Sequence, residues 1–285
     1  MGAGKLRFLP LVLLLACTPE KGQKGHKNPG TCGGGDTLTG VVSALTFGRQ
    51  EPLGVTWGFD LDGIESSIAD PKGCYKADMV DPDGNSGIDS AFSGLVPALE
   101  ATEGAAVEGL IEDSILEGEL QLLFSITGVD DPMNDDCVTL EVAEGMEPPL
   151  LATDGTILDW QTLTRDLDVP VVRSAELEMI DGTVVGRDMN LHLALEILGE
   201  PVIFDMKAGA MRLDIDDDGY MSGFMGGGVA IEQIFAVSNS SEIGISELIE
   251  SLVTTAADMS PDASGQCEQL SITFEFEATP AYLFE

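Results

Sequence analysis

Positive charge is scarce in this chain. Only 13 of its 285 residues are Lys or Arg, against 50 Asp or Glu, and there are two histidines. No Lys or Arg occurs from Ala77 to Thr164 or from Leu213 to Glu285. That scarcity excludes nucleic acid as a partner, because a phosphate backbone needs Lys and Arg to neutralise it. The region expected to fold contains one histidine, His192, between Leu191 and Leu193 on the polar side of an expected strand, which argues against a His-based triad or a zinc site. Also missing are a GxSxG elbow, a phosphate loop, an HExxH pattern and any CxxC pair. No apolar run reaches the ~20 residues that a membrane-spanning helix takes.

What is present bounds the rest. Hydrophobic residues make up 44% of the chain, enough for a real core rather than an acidic disordered tail. The formal net charge is −37. Self-repulsion on that scale destabilises the compact state at low ionic strength, and cations relieve it.

The amino terminus carries the most specific pattern. Lys5 and Arg7 precede a short apolar stretch, Phe8 to Ala16, interrupted only by Pro10. A charged start and a brief apolar core are the signature of an export signal. The stretch ends Leu14-Leu15-Ala16-Cys17, which resembles the lipobox of bacterial prolipoproteins. The resemblance implies that residues 1–16 are removed and that Cys17 becomes a diacylglyceryl-modified, acylated first residue. Two acyl chains suffice for stable anchoring where one does not. Thr18 follows the Cys, where an Asp would resemble an inner-membrane retention signal, so the implied destination is the outer membrane. Residues 17–39 then read as a flexible tether, Gly-rich and carrying Lys21, Lys24 and Lys27 near the headgroups.

Four cysteines remain: Cys32, Cys74, Cys137 and Cys267. An even number in an exported chain predicts two disulfides, with three pairings open. The preferred pairing joins Cys74 to Cys137 and Cys32 to Cys267.

Residues 40–285 read as a single acidic domain, with two halves meeting near 148–155. Val55, Trp57, Phe59 and Leu61 alternate with polar residues and predict a strand. Asp89 stands where a helix N-cap is expected, ahead of Phe92, Leu95, Val96 and Leu99 at helical spacing. A second helix fits Ala105 to Leu116. Strands fit 120–129, 137–142, 175–180, 183–197, 202–214, 220–230 and 270–276, with Asp181-Gly182 as a hairpin turn. Helical periodicity returns over 231–237 and 246–257. Gly226-Gly227-Gly228 suits a strand position where another backbone packs closely. Hairpins with segregated helices predict an α+β class: mainly antiparallel sheet with a few amphipathic helices packed on it.

Two acidic loops carry a metal expectation. Asp81-Pro-Asp83-Gly-Asn85-Ser-Gly87-Ile88-Asp89 resembles in part the calcium loop of EF-hand proteins, with Asp81, Asp83, Asn85 and Asp89 at ligand positions. Its sixth position is Ser86 rather than Gly, and its twelfth is Phe92 rather than the bidentate Glu. A carboxylate borrowed from Asp60, Asp62 or Asp78 could replace that Glu. The second loop offers Asp214, Asp216 and Asp218, with Gly219 at position six and Met225 at position twelve. Oxygen ligands of this kind select calcium or magnesium.

The expected function is that of a lipid-anchored, non-enzymatic envelope protein. It would bind a protein or small-molecule partner, with calcium as its ion. The alternatives are a polymer hydrolase using paired carboxylates and a carrier of apolar ligands. Beyond the lipobox the chain is similar to acidic, Asp-Gly-rich predicted lipoproteins of bacteria, a resemblance that brings no activity with it.

Overall fold

Alternating apolar and polar residues, interrupted by turns, make this chain a succession of hairpins. The computed structural model describes residues 32, 34–101, 107–197, 200–240 and 246–284. The export signal, Cys17 and most of the tether lie outside them. The strands are β1 (Asp36–Phe47), β2 (Met79–Val80), β3 (Ser86–Ile88), β4 (Leu122–Val129), β5 (Asn134–Glu144) and β6 (Gln161–Thr164). They continue with β7 (Val172–Ile180), β8 (Thr183–Ile197), β9 (Glu200–Ile215), β10 (Met221–Ala230), β11 (Met259–Pro261) and β12 (Cys267–Phe284). The helices are α1 (Val96–Glu100), α2 (Val107–Glu117), α3 (Ile231–Ser240) and α4 (Ser246–Ala256).

Eight strands pair antiparallel in the order β1-β4-β5-β7-β8-β9-β10-β12, and β12 returns to β1. Leu45 lies opposite Phe276 and Phe47 opposite Phe274 across that seam. The sheet is therefore a closed up-and-down barrel, each wall strand neighbouring the next one in the chain. This corrects the α+β expectation: the protein is mostly β, 49% strand and about 15% helix. Closure removes the sheet's edges and turns its apolar face into a bore, so no helical layer is needed to cover it.

Facing pairs identify the two sides of the wall. Phe124, Leu140, Met179, Val184, Met211, Met225, Phe274 and Phe276 point inward and are buried. The rings of Phe124 and Phe276 meet at 4.9 Å. Each such side chain contributes roughly 1.5–3 kcal/mol by leaving water. Glu141, Arg173, Arg212, Asp214, Glu275 and Glu277 fall on the outer positions. Membrane-crossing barrels have the reverse polarity, with apolar residues outward. Among the described residues no helix is long and apolar enough to cross a membrane.

Three inserts complete the wall. Helix α2 touches both β1 and β8, which stand opposite one another in the ring, so it lies across the barrel, with Ile111 and Ile115 buried in the common core. Residues 48–100 fold back over the outer wall. Trp57 and Phe59 pack on Phe224 at 5.4 and 4.9 Å, whereas Phe92 turns into the core and meets Phe47 on the inner side at 4.7 Å. Helices α3 and α4 with β11 lie between β10 and β12.

Several local expectations are also corrected. Residues 55–61 form no strand; only Val55 and Phe59 make single bridges, to Val80 and Asp89. Their alternation reflects seating on the barrel's outer face rather than membership of a ladder. The tether ends earlier than expected, because Asp36–Thr39 already pair in β1. The disulfides join Cys32 to Cys137 and Cys74 to Cys267. The first pairing follows from the sheet order, which brings the chain before β1 beside β4 and β5. The second follows from residues 48–100 folding onto the start of β12.

Candidate metal centre

The excursion over the barrel wall brings three carboxylates to one point. β3 leads into Asp89, whose backbone N–H donates to the Phe59 carbonyl at 2.8 Å. That bridge sets Asp89 beneath the turn of residues 60–63. Its Oδ2 accepts the N–H groups of Leu61 (2.7 Å) and Asp62 (3.2 Å). Asp60 accepts from the Gly63 N–H and Asp62 from the Ile64 N–H. One oxygen from each of Asp60, Asp62 and Asp89 falls within 4.8 Å of the others. Two oxygens on one calcium at 2.3–2.6 Å lie at most ~5.2 Å apart, so the three fit a single ion. No ion pair among the described residues neutralises them.

The electrostatics match that geometry. Burial raises the Asp89 carboxyl to about 8, only partly offset by the Leu61 N–H. Burial likewise raises Asp62, with the Asp60 charge adding to it. Two neighbours extend the cluster. Asp78, raised to about 6 by burial, accepts from the Ser66 N–H. Asp258, also raised to about 6 by burial, accepts from both the N–H and the hydroxyl of Ser271. Ser271 Oγ in turn accepts the Ala91 N–H, so the acids are tied to the segment that follows Asp89.

The first acidic loop is split by the fold. Asp89 joins the centre, and Asp60 and Asp62 are the borrowed carboxylates. Asp81 instead closes its own turn: its carboxylate accepts the backbone N–H and the side-chain amide of Asn85, both at 2.7 Å. Asp83 is exposed in the same β2–β3 turn. Asp89 does not cap a helix; the 3-10 turn Ala91–Gly94 starts after Ser90. The spacing of Asp60 and Asp62 from Asp89 holds no periodic signal; the Phe59–Asp89 bridge and the Leu61 and Asp62 N–H bonds to Asp89 join them.

The second loop is the β9–β10 hairpin. Asp216 accepts the N–H groups of Asp218 and Tyr220, both at 2.9 Å. Asp214 is held by Thr183 and Arg212. Among the described residues only Asp60, Asp62 and Asp89 converge as a ligand set. Gly226 packs under Phe59 and against the Ile272 carbonyl, so the triple glycine is a close-packing site in β10. His192 is half-exposed and pairs with Asp205.

An open groove of about 700 Å³ has Glu112, Asp159, Asp214, Asp216, Tyr220 and Glu277 in its lining. Asp60, Asp62 and Asp89 are not part of it. Comparison of the chain with family models, with curated proteins and with solved structures finds no match.

Proposed function

We propose that this protein is a lipid-anchored, non-enzymatic component of the cell envelope, held at Cys17, whose folded domain is stabilised by one calcium ion at Asp60, Asp62 and Asp89. The observation that carries the ion is the convergence of three carboxylates, one of them buried, with no ion pair to them among the described residues. A hard divalent ion supplies that charge and bridges residues 60–62 to Asp89. It thereby fastens residues 48–100 to the barrel. The water-facing polarity of the wall supports an anchor outside the fold rather than a spanning barrel, and two disulfides fit an oxidising compartment.

The hydrolase reading has the open groove as its place. Three of its five carboxylates, however, are already engaged: Asp214 with Arg212, Asp216 within its turn, Asp159 with the Tyr220 hydroxyl at 3.0 Å. The carrier reading needs space in the bore. There Met221 and Met189 fill the places left by Gly40 and Gly186.

The test is a thermal melt of the mature domain, Cys17→Ala, in calcium, magnesium or chelator at matched ionic strength. A site with a dissociation constant of ~0.1–1 mM, usual for extracellular calcium modules, gives ~1.4 kcal/mol at ten times that concentration. For a domain of this size the rise is ~3–6 °C. Asp60→Asn with Asp62→Asn abolishes it, whereas Asp216→Asn leaves it intact. Equal melting in all three conditions removes the ion from the proposal.

A further inference from the structure

Along β6 and the end of β12 aromatic side chains face outward, from Trp160 at the end of the barrel where the chain enters the fold to Phe284 beside Arg165. Trp160 is 51% exposed, Tyr282 56% and Phe284 64%. Trp160 and Tyr282 meet at 5.7 Å between ring centroids. Gly219, in the β9–β10 turn, lies against the far edge of the Trp160 ring, and the neighbouring Tyr220 is 43% exposed. Trp160 is held in this position by an unusual backbone: its φ is +57°, and its N–H donates to the Pro280 carbonyl at 2.6 Å. A bulky residue in the left-handed region is strained, and strain retained at an exposed aromatic points to use rather than to packing.

The patch lies beside the point where the anchor would be attached. Tyr282 and Leu283 line one hollow with Thr37 and Thr39, at the start of β1. Thr39 also donates to the Ala281 carbonyl. Five residues before Thr37, Cys32 is bonded to Cys137. Fourteen residues separate that fixed point from Cys17. Fully extended, a segment of that length reaches only about 50 Å. An acylated Cys17 therefore holds the start of β1 within about 50 Å of the bilayer.

We infer that the Trp160–Tyr282–Phe284 face docks on the lipid surface that holds the anchor, a reading that rests on the lipid attachment proposed above. Trp and Tyr favour the headgroup level, where an apolar ring meets a wet edge. Tethering raises the local concentration to the millimolar range, so a weak contact is enough to orient the domain. The charge at this end selects the kind of surface. Asp159, Asp216 and Asp218 at the Trp160 end outnumber Arg165 beside Tyr282, so the patch repels anionic headgroups within about 10 Å at 0.1 M salt. The surface that fits is therefore zwitterionic, of phosphocholine or phosphoethanolamine type.

The experiment uses the full mature chain, lipidated at Cys17 and reconstituted in phosphocholine vesicles. Mass spectrometry and flotation first establish acylation and attachment. The chain has two tryptophans. Trp57→Phe therefore leaves Trp160 as the only one, and Trp160→Phe is the complementary control. Lipids brominated near the headgroup are expected to quench the Trp160 emission by about half and to leave Trp57 in the control unchanged. Quenching falls when half the lipid is phosphatidylglycerol at low salt, and NaCl restores it. Unquenched Trp160 in a chain that floats overturns the docking while leaving the anchor standing. Quenching that is equal on anionic vesicles overturns the choice of surface. A chain that carries no acyl group overturns both readings together.

Discussion

Asp89 shows how a single residue can couple charge to fold. Its carboxyl is raised to about 8 in the folded chain, against ~3.9 for a free aspartate. Between those values the folded chain holds a proton that the unfolded chain has released. Without calcium, the Asp89 contribution to stability is therefore full below about pH 4 and is lost as pH rises through 8. In the proposed site calcium takes the place of that proton, so its stabilisation is expected to grow over the same interval. Asp89→Asn keeps an acceptor for the Leu61 N–H but removes both the charge and the proton. Urea melts at pH 5 and pH 8, with and without calcium, are expected to show a pH slope in the parent chain that is much reduced in this variant, whose calcium response is lost. A variant that keeps the parent's slope and calcium response would place the titration elsewhere and remove Asp89 from the site.

At the scale of elements, two covalent ties hold the inserts to the barrel. Cys32–Cys137 fixes the segment before β1 to β5, and Cys74–Cys267 fixes residues 48–100 to the start of β12. They span 105 and 193 residues of chain. In the chain-entropy model a loop of ~100 residues is worth about 4.7 kcal/mol, and removing a native disulfide typically costs about 2–5 kcal/mol. Non-reducing peptide mapping is expected to recover these two pairs and no others. Replacing Cys74 and Cys267 by Ala is expected to weaken the calcium response as well as overall stability, because the proposed ligands Asp60, Asp62 and Asp89 lie in the segment that bond secures. Replacing Cys32 and Cys137 lowers stability alone. Titration calorimetry with calcium separates the two cases.

For the whole molecule, charge is the dominant variable. A net charge of −37 on the chain means that folding gathers like charges. Raising NaCl from about 10 mM to about 150 mM shortens the Debye length from ~30 Å to ~8 Å. The melting temperature is expected to rise by several degrees, equally in NaCl and KCl. That rise is separate from the calcium effect, which persists at matched ionic strength and disappears in the Asp60→Asn, Asp62→Asn double variant. A scanning-calorimetry series that finds no dependence on monovalent salt would show that the acids are too far apart to repel.

Much of the fold could be read along the chain. The segments 183–197, 231–237 and 246–257 reappear as β8, α3 and α4, because each carries the period of its element over many residues. The Asp181-Gly182 turn is observed with both residues at positive φ, 50° and 76°, as that pair predicts for a tight hairpin. Low basic content, the lipobox resemblance and the even cysteine number are likewise properties of composition and order. Tertiary structure decided what depends on long-range pairing. Whether β12 meets β1 is a matter of sheet twist and length, invisible to a two-residue period, and it turned an expected α+β sheet into a barrel. The cysteine partners were set by which strands became neighbours. The ligand set was redistributed for the same reason: Asp81, Asp83 and Asn85 close a local turn, while Asp60 and Asp62 reach Asp89 only because residues 48–100 fold back on the barrel wall.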